Sequence, residues 1–245
     1  MRLGQTLYFS SPNNGEGKTT LIRNIGNSLA ELGKKVLIID LSKNEEDYIN
    51  FFKFKKYFDL EKVYQKELSL QTIKLIYPEN RSLTIIKNYS ERIFEKDFFE
   101  DFFNKIKKTY DYILIEENIE NINNNKYKNK ANKKYIILSD SYKEINEENY
   151  IINRYRENEQ KKIEELLNNK DKNCIGIINE TEETEVVKTL STENPHTKFN
   201  SAFKRIGKRI INDSKIEKIE DIKNNSKIIL DIFYRKFDIK TKNSF

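Results

Sequence analysis

Between Thr6 and Asp40 the chain reads as strand, glycine-broken loop, helix and strand, and this stretch limits the fold more than any other. Thr6-Leu7-Tyr8-Phe9 has the character of a short strand, which Ser10-Ser11-Pro12-Asn13-Asn14-Gly15 interrupts. A helix is expected from about Gly17–Lys18, because Leu21, Ile22, Ile25, Leu29 and Leu32 recur at helical spacing. Gly33 stands where a left-handed helix cap is expected. Val36-Leu37-Ile38-Ile39 is apolar at every position, the pattern of a strand buried on both faces, and it ends in Asp40. Strand, crossover helix and strand make the βαβ unit of a parallel sheet.

The pattern recurs. Leu83–Ile86, Tyr112–Ile115, Tyr135–Leu138 and Cys174–Ile178 read as further strands, the second ending in Glu116-Glu117. Phe94–Lys108 is expected to be a helix that turns Phe98, Phe99, Phe102, Phe103 and Ile106 inward. A long charged helix is expected over Glu144–Leu167, and a last one over Asn225–Phe237. Asn118–Asn132, rich in Asn and Lys, and Glu180–Asn200, which holds His196, read as surface loops. The expected fold is a single α/β domain over residues 1–245, a doubly wound and mostly parallel sheet with helices on both faces.

Composition excludes some classes. Only 37% of the 245 residues are hydrophobic, but they cluster in runs, which suits a folded core under a very polar surface. The net charge of +6 arises from 45 basic and 39 acidic side chains, a solvated mixture. No basic patch with interleaved aromatics stands out, so nucleic acid is not an expected partner. Cys174 is the one cysteine, so an internal disulfide is excluded and a buried thiol in a reducing compartment is expected. His196 has no companion ligands for a metal. With no secretory leader and no apolar run of membrane-crossing length, the expected location is the cytoplasm.

Gly15-Glu16-Gly17-Lys18-Thr19-Thr20 carries the chemistry. Its glycines let backbone N–H groups turn toward a polyphosphate, and the following helix presents its positive end to the anion. Lys18 would reach the β- and γ-phosphates, and the Thr19 hydroxyl would ligate Mg²⁺, so Mg-ATP is the expected ligand. The strict P-loop pattern wants glycine where this chain has Pro12, but the strand before the loop and the helix after it are both in place.

Ser10–Thr20, followed by Gly33-Lys34-Lys35-Val36-Leu37-Ile38-Ile39-Asp40, resembles the deviant Walker A group, which implies that the doubly wound α/β sheet is of the P-loop NTPase type. That group includes the MinD and ParA partitioning ATPases and the cytoplasmic domains of bacterial tyrosine kinases that control capsule synthesis. The resemblance implies Asn14, Gly15, Glu16, Gly17, Lys18, Thr19 and Thr20 around the phosphates, with Lys18 and Asp40 as catalytic residues. It places Thr19, Asp40 and Glu116 at the metal, Glu116 standing where the family usually has Asp. Gly176-Ile177-Ile178-Asn179 is similar to the strand whose asparagine faces the adenine, which makes Asn179 a base contact. An ATP-dependent homodimer, an unknown protein partner and an ATP-driven switch that assembles or positions it are also implied.

Three positions depart from the pattern. Asn13 replaces the lysine that reaches across the dimer in the MinD and ParA branch, Ser42 replaces a second aspartate of the kinase branch, and Glu116 adds a methylene. Binding survives such changes more readily than phosphoryl transfer, which depends on electrostatic stabilisation. A pseudo-ATPase interaction module is thus one alternative. A tyrosine-kinase-like regulator of polysaccharide export is another, although the tail offers only Tyr234. Ile228, Ile229, Ile232, Phe233 and Phe237 could share one face of the last helix, packed on the sheet or, as in MinD-like proteins, laid on the inner face of a membrane.

Overall fold

A computed structural model of the chain describes residues 3–13, 15–41, 60–65, 82–87, 96–116, 125–139, 149–156, 160–169, 172–179 and 198–213. In chain order these form β1 (Gln5–Ser10), α1 (Lys18–Glu31), β2 (Val36–Asp40), α2 (Leu60–Tyr64), β3 (Leu83–Lys87), α3 (Lys96–Thr109) and β4 (Tyr112–Glu116). There follow α4 (Asn125–Lys130), β5 (Lys133–Leu138), β6 (Asn149–Tyr155), α5 (Gln160–Leu167), β7 (Asn173–Asn179) and α6 (Lys198–Asn212).

The strands make one seven-stranded sheet in the order β3-β2-β4-β1-β5-β6-β7. Every pairing in it is parallel. A parallel strand is covered on both faces, so apolar runs without alternation are the sequences that suit it. Val36–Ile39 and Ile113–Ile115 are accordingly buried throughout. On one face α1 and α6 cover a cluster that includes Leu7, Phe9, Ile38, Leu114, Ile137 and Ile151. On the other, α3 sets Phe102, Phe103 and Ile106 against Leu37, Ile39, Ile113 and Ile115, and α5 sets Ile163 against Tyr150, Ile152 and Cys174.

The chain leaves β1 toward β2 on one side and later returns past it to β5 on the other. The loop after β1 therefore opens at the point where the winding reverses, where open α/β sheets bind ligands.

Every strand expected from the sequence is present, and so are the helices at Lys18–Glu31 and Lys96–Thr109. Gly33 takes φ 79, and its N–H closes on the Ala30 carbonyl at 2.9 Å, the left-handed end expected for α1. Cys174 is buried, and burial pushes its thiol up to about 12. Three expectations need correction. The helix expected over Glu144–Leu167 is instead strand β6 followed by the shorter α5, because Tyr150-Ile151-Ile152 is buried on both faces of the sheet. The loop expected over Asn118–Asn132 contains α4, whose Tyr127 packs edge-on against Phe103. The loop expected over Glu180–Asn200 gives way at Lys198 to α6, which buries Phe203, Ile206 and Ile210. His196, Tyr234 and the tail helix expected over Asn225–Phe237 lie outside the described residues.

Candidate functional site

After Ser10 the chain doubles back on itself. The Ser11 hydroxyl donates to the Asn13 carbonyl at 2.9 Å, and the Asn13 amide donates to Glu16 Oε1 at 2.9 Å. Gly15 takes φ 82 and Gly17 φ 74, left-handed conformations that a side chain at either position would strain. Gly17 is tight as well as left-handed: a β-carbon there would lie 2.7 Å from Asn153 Nδ2. The same Asn153 amide donates to the Glu16 carbonyl at 2.8 Å, so the end of β6 clamps the loop.

Helix α1 starts at Lys18 with no side-chain cap and no acid in its first turn. Its first N–H groups and the positive end of its dipole thus face the loop with no capping side chain and no acid of the first turn to offset them. Lys18 is buried and lies 3.5 Å from Ser11 Oγ, its ammonium turned back along the loop. Thr20 lends its carbonyl to the Asn24 amide at 2.8 Å.

Beneath the loop three charged side chains meet without contact with solvent. Asp40 and Glu116 end neighbouring strands and stand opposite one another in the β2–β4 register. Both are fully buried, as is Arg23 of α1. Arg23 Nη2 lies 2.8 Å from Asp40 Oδ2 and 3.7 Å from Glu116 Oε2. The Thr19 hydroxyl donates to Glu116 Oε1. Thr19 and Arg23 are four residues apart, so one face of α1 delivers both groups to these strand ends. Burial, and after it the Asp40 charge, push the Glu116 carboxyl up to about 7 against the opposing Arg23, Thr19 hydrogen bond and Lys18.

This arrangement suits a divalent ion at Thr19. A hydroxyl that gives its hydrogen to a buried carboxylate turns its lone pairs away from that carboxylate, the orientation a cation needs. Asp40 and Glu116 themselves face Arg23 and Thr19. As metal residues they would act from behind the hydroxyl.

Gly15, Glu16, Gly17, Lys18, Thr19, Thr20, Asp40 and Glu116, all expected from the sequence, thus come together at the ends of β1, β2 and β4. Asn179 is exposed at the end of β7, the edge strand, where it pairs with Tyr155. It is Asn153, one strand inward, that touches the loop. Asn14 and Ser42 lie outside the described residues. Sequence reasoning missed both Arg23 and Asn153. The spacing of Arg23 from Thr19 was a usable signal, whereas Asn153 carried none until β6 was known to be a strand.

Comparison with known proteins agrees with this geometry. Residues 7–193 match the family model described as CbiA, the CobQ/CobB/MinD/ParA nucleotide binding domain. No curated protein matches the chain by sequence. Among solved structures, the MinD cell division protein of Aquifex aeolicus is similar, with a TM-score of 0.73 and 22% identity, over 88% of this chain and 100% of that one. The septum site-determining protein MinD of Pyrococcus horikoshii, complexed with Mg-ADP, has a TM-score of 0.65 and 14% identity over 85% of this chain and 96% of its own. A plasmid partition protein of Borrelia burgdorferi bound to AMPPNP has a TM-score of 0.61 and 19% identity over 86% and 99% of the two chains. At these identities the likeness establishes a shared fold.

Proposed function

Because the chain belongs to the CobQ/CobB/MinD/ParA nucleotide-binding family, we propose that it is an ATP-binding switch that controls the assembly or positioning of a partner protein. The observation that carries this reading is the loop itself: left-handed Gly15 and Gly17, an uncapped helix end and a buried Lys18, all at the reversal point of the sheet. In this reading the loop N–H groups and Lys18 hold the polyphosphate, Asn153 keeps the loop in its binding shape, and Glu116 orients the Thr19 hydroxyl. A bound Mg²⁺ would draw charge from the β- and γ-phosphate oxygens. In this reading Asp40 is the acid behind the phosphates, ATP is the ligand of the assembly-competent state, and hydrolysis resets it. Such a switch works only through a difference in affinity between its states, for which an ATP-bound homodimer is the simplest form.

A second reading, a nucleotide-stabilised interaction module with no turnover, is favoured by one observation. Asn13 supplies an amide, occupied with Glu16, where the MinD and ParA branch has a cation. ATP turnover by the purified chain in Mg²⁺, with and without anionic liposomes, separates the readings. The switch predicts turnover that Lys18→Ala lowers by about 100-fold or more, the range expected when a charged transition-state contact is lost. Nucleotide binding with no turnover would select the interaction module. Absence of binding would sink both.

A further inference from the structure

We propose that Arg23 is a resident cation of this site, a positioning residue that neutralises Asp40 and Glu116 from within and removes their need for a divalent ion. The inference takes its biological sense from the nucleotide-binding reading, but its physical content concerns the protein before any nucleotide arrives.

Two buried carboxylates at adjacent strand ends repel one another, and burial makes each costly unless a cation or donors compensate it. Metal ions are a common answer to such a pair. Here the answer is internal. Arg23 is fully buried, and its 2.8 Å contact with Asp40 is a charge-assisted hydrogen bond. At 3.7 Å its contact with Glu116 is too long for a hydrogen bond and acts through charge alone. The two Glu116 oxygens are thereby divided: Oε1 accepts from Thr19, and Oε2, which has no hydrogen-bond partner among the described residues, faces the guanidinium. A carboxylate held from both sides cannot rotate freely, so Arg23 also fixes the acceptor that orients the Thr19 hydroxyl. Arginine suits this post because its charge persists when buried and its donors form a rigid fork.

Formal charges show what its loss would do. Among the buried charges Glu16, Asp40 and Glu116 face Lys18 and Arg23, one acid in excess, and loss of Arg23 widens that excess by removing the cation in contact with both Asp40 and Glu116. A buried cluster with that excess, in contact with the Thr19 hydroxyl through Glu116, becomes a site that a small divalent ion relieves.

The test reads the thermal midpoint of the nucleotide-free full chain in Mg²⁺ and in EDTA at about pH 8, above the Glu116 value of about 7, so that this carboxyl carries its charge. The unaltered chain is expected to have the same midpoint in both. Arg23→Met should melt lower in EDTA and recover part of the loss in Mg²⁺, with an apparent Mg²⁺ affinity roughly tenfold or more above that of the unaltered chain, since one unit charge at contact distance has been removed. Arg23→Lys, which keeps a cation, should remain insensitive to Mg²⁺. An equal Mg²⁺ response in the unaltered chain and Arg23→Met, or none in either, overturns the proposal. Should Arg23→Met fail to fold, Arg23→Met/Asp40→Asn decides: removing the cation together with its anion should restore folding, and a double variant that is equally unfolded shows that Arg23 acts through its volume. Binding of fluorescently labelled ADP, measured alongside, separates the two readings. A chain that binds no nucleotide yet shows the metal pattern loses the proposed function and keeps this inference, and the converse loses only the inference.

Discussion

Where β2 and β4 end, the interior holds Arg23, Asp40 and Glu116. Where β6 and β7 meet α5, it holds Tyr150, Ile152, Ile163 and Cys174. Both regions lie away from water, on opposite chemical terms. The apolar region is stabilised in proportion to the area it buries and to its dense packing, and each side chain contributes whichever neighbours remain. The charged region is stable only as a set, because each member offsets the desolvation of another. Stability is thus distributed on one side of the sheet and conditional on the other. The conditional side adjoins the loop proposed to hold phosphate, where fixed charge would be worth most to a bound anion.

Removing one member from each region separates these terms most sharply. Asp40→Ala leaves Arg23 buried beside Glu116 alone, and the expected loss is about 3–5 kcal/mol of unfolding free energy, read from urea denaturation. Ile152→Val deletes a methyl from the apolar side and is expected to cost only about 0.5–1.5 kcal/mol. Equal losses would mean that the charged cluster behaves as ordinary packing.

Proton linkage distinguishes the regions next. Glu116 has a folded value of about 7 against an ordinary 4.5, so between those limits the folded chain keeps a proton that the unfolded chain releases. Stability from this group is therefore full below about 4.5, falls as the pH rises through the window, and is lost above about 7, a change on the order of 3 kcal/mol. Glu116→Gln should flatten that part of the profile, and Ile152→Val should shift the curve without changing its slope. A Gln variant with the parental slope would assign the linkage to other groups.

The same contrast governs what could be read from the residues alone. Val36–Ile39 and Tyr112–Ile115 were legible because a parallel strand buried on both faces appears as an unbroken apolar run. β6 was not, since its core is only Tyr150-Ile151-Ile152 and charged neighbours give the stretch the look of a solvated helix. α6 did carry a helical signal in Phe203, Ile206 and Ile210, which the polar segment before it concealed. Lys18 and Thr19 stood out as candidates because the strand, glycine loop and helix that bring them together are contiguous in sequence. Arg23 was hidden because a charge within a helix ordinarily faces water, and only the meeting of α1, β2 and β4 makes it interior. Asn153 lies 137 residues from the loop residue it holds, beyond any local pattern.

The smallest expected effect lies at that last contact, and it tests whether the loop is held from outside or by its own glycines. Asn153→Ala removes one hydrogen bond, 2.8 Å to the Glu16 carbonyl, and should lower stability by about 1 kcal/mol. Gly17→Ala meets two obstacles: a φ of 74, and the Asn153 amide 2.7 Å from the new methyl. In the Asn153→Ala background the second obstacle is gone and the first remains. A double-mutant cycle should therefore show Gly17→Ala less harmful there, by about 0.5 kcal/mol or more, while labelled-ADP affinity stays below that of the parent because the strained loop no longer presents its N–H groups correctly. Strict additivity would mean that Asn153 does not press on the loop, leaving the left-handed backbone as the sole reason for glycine at position 17.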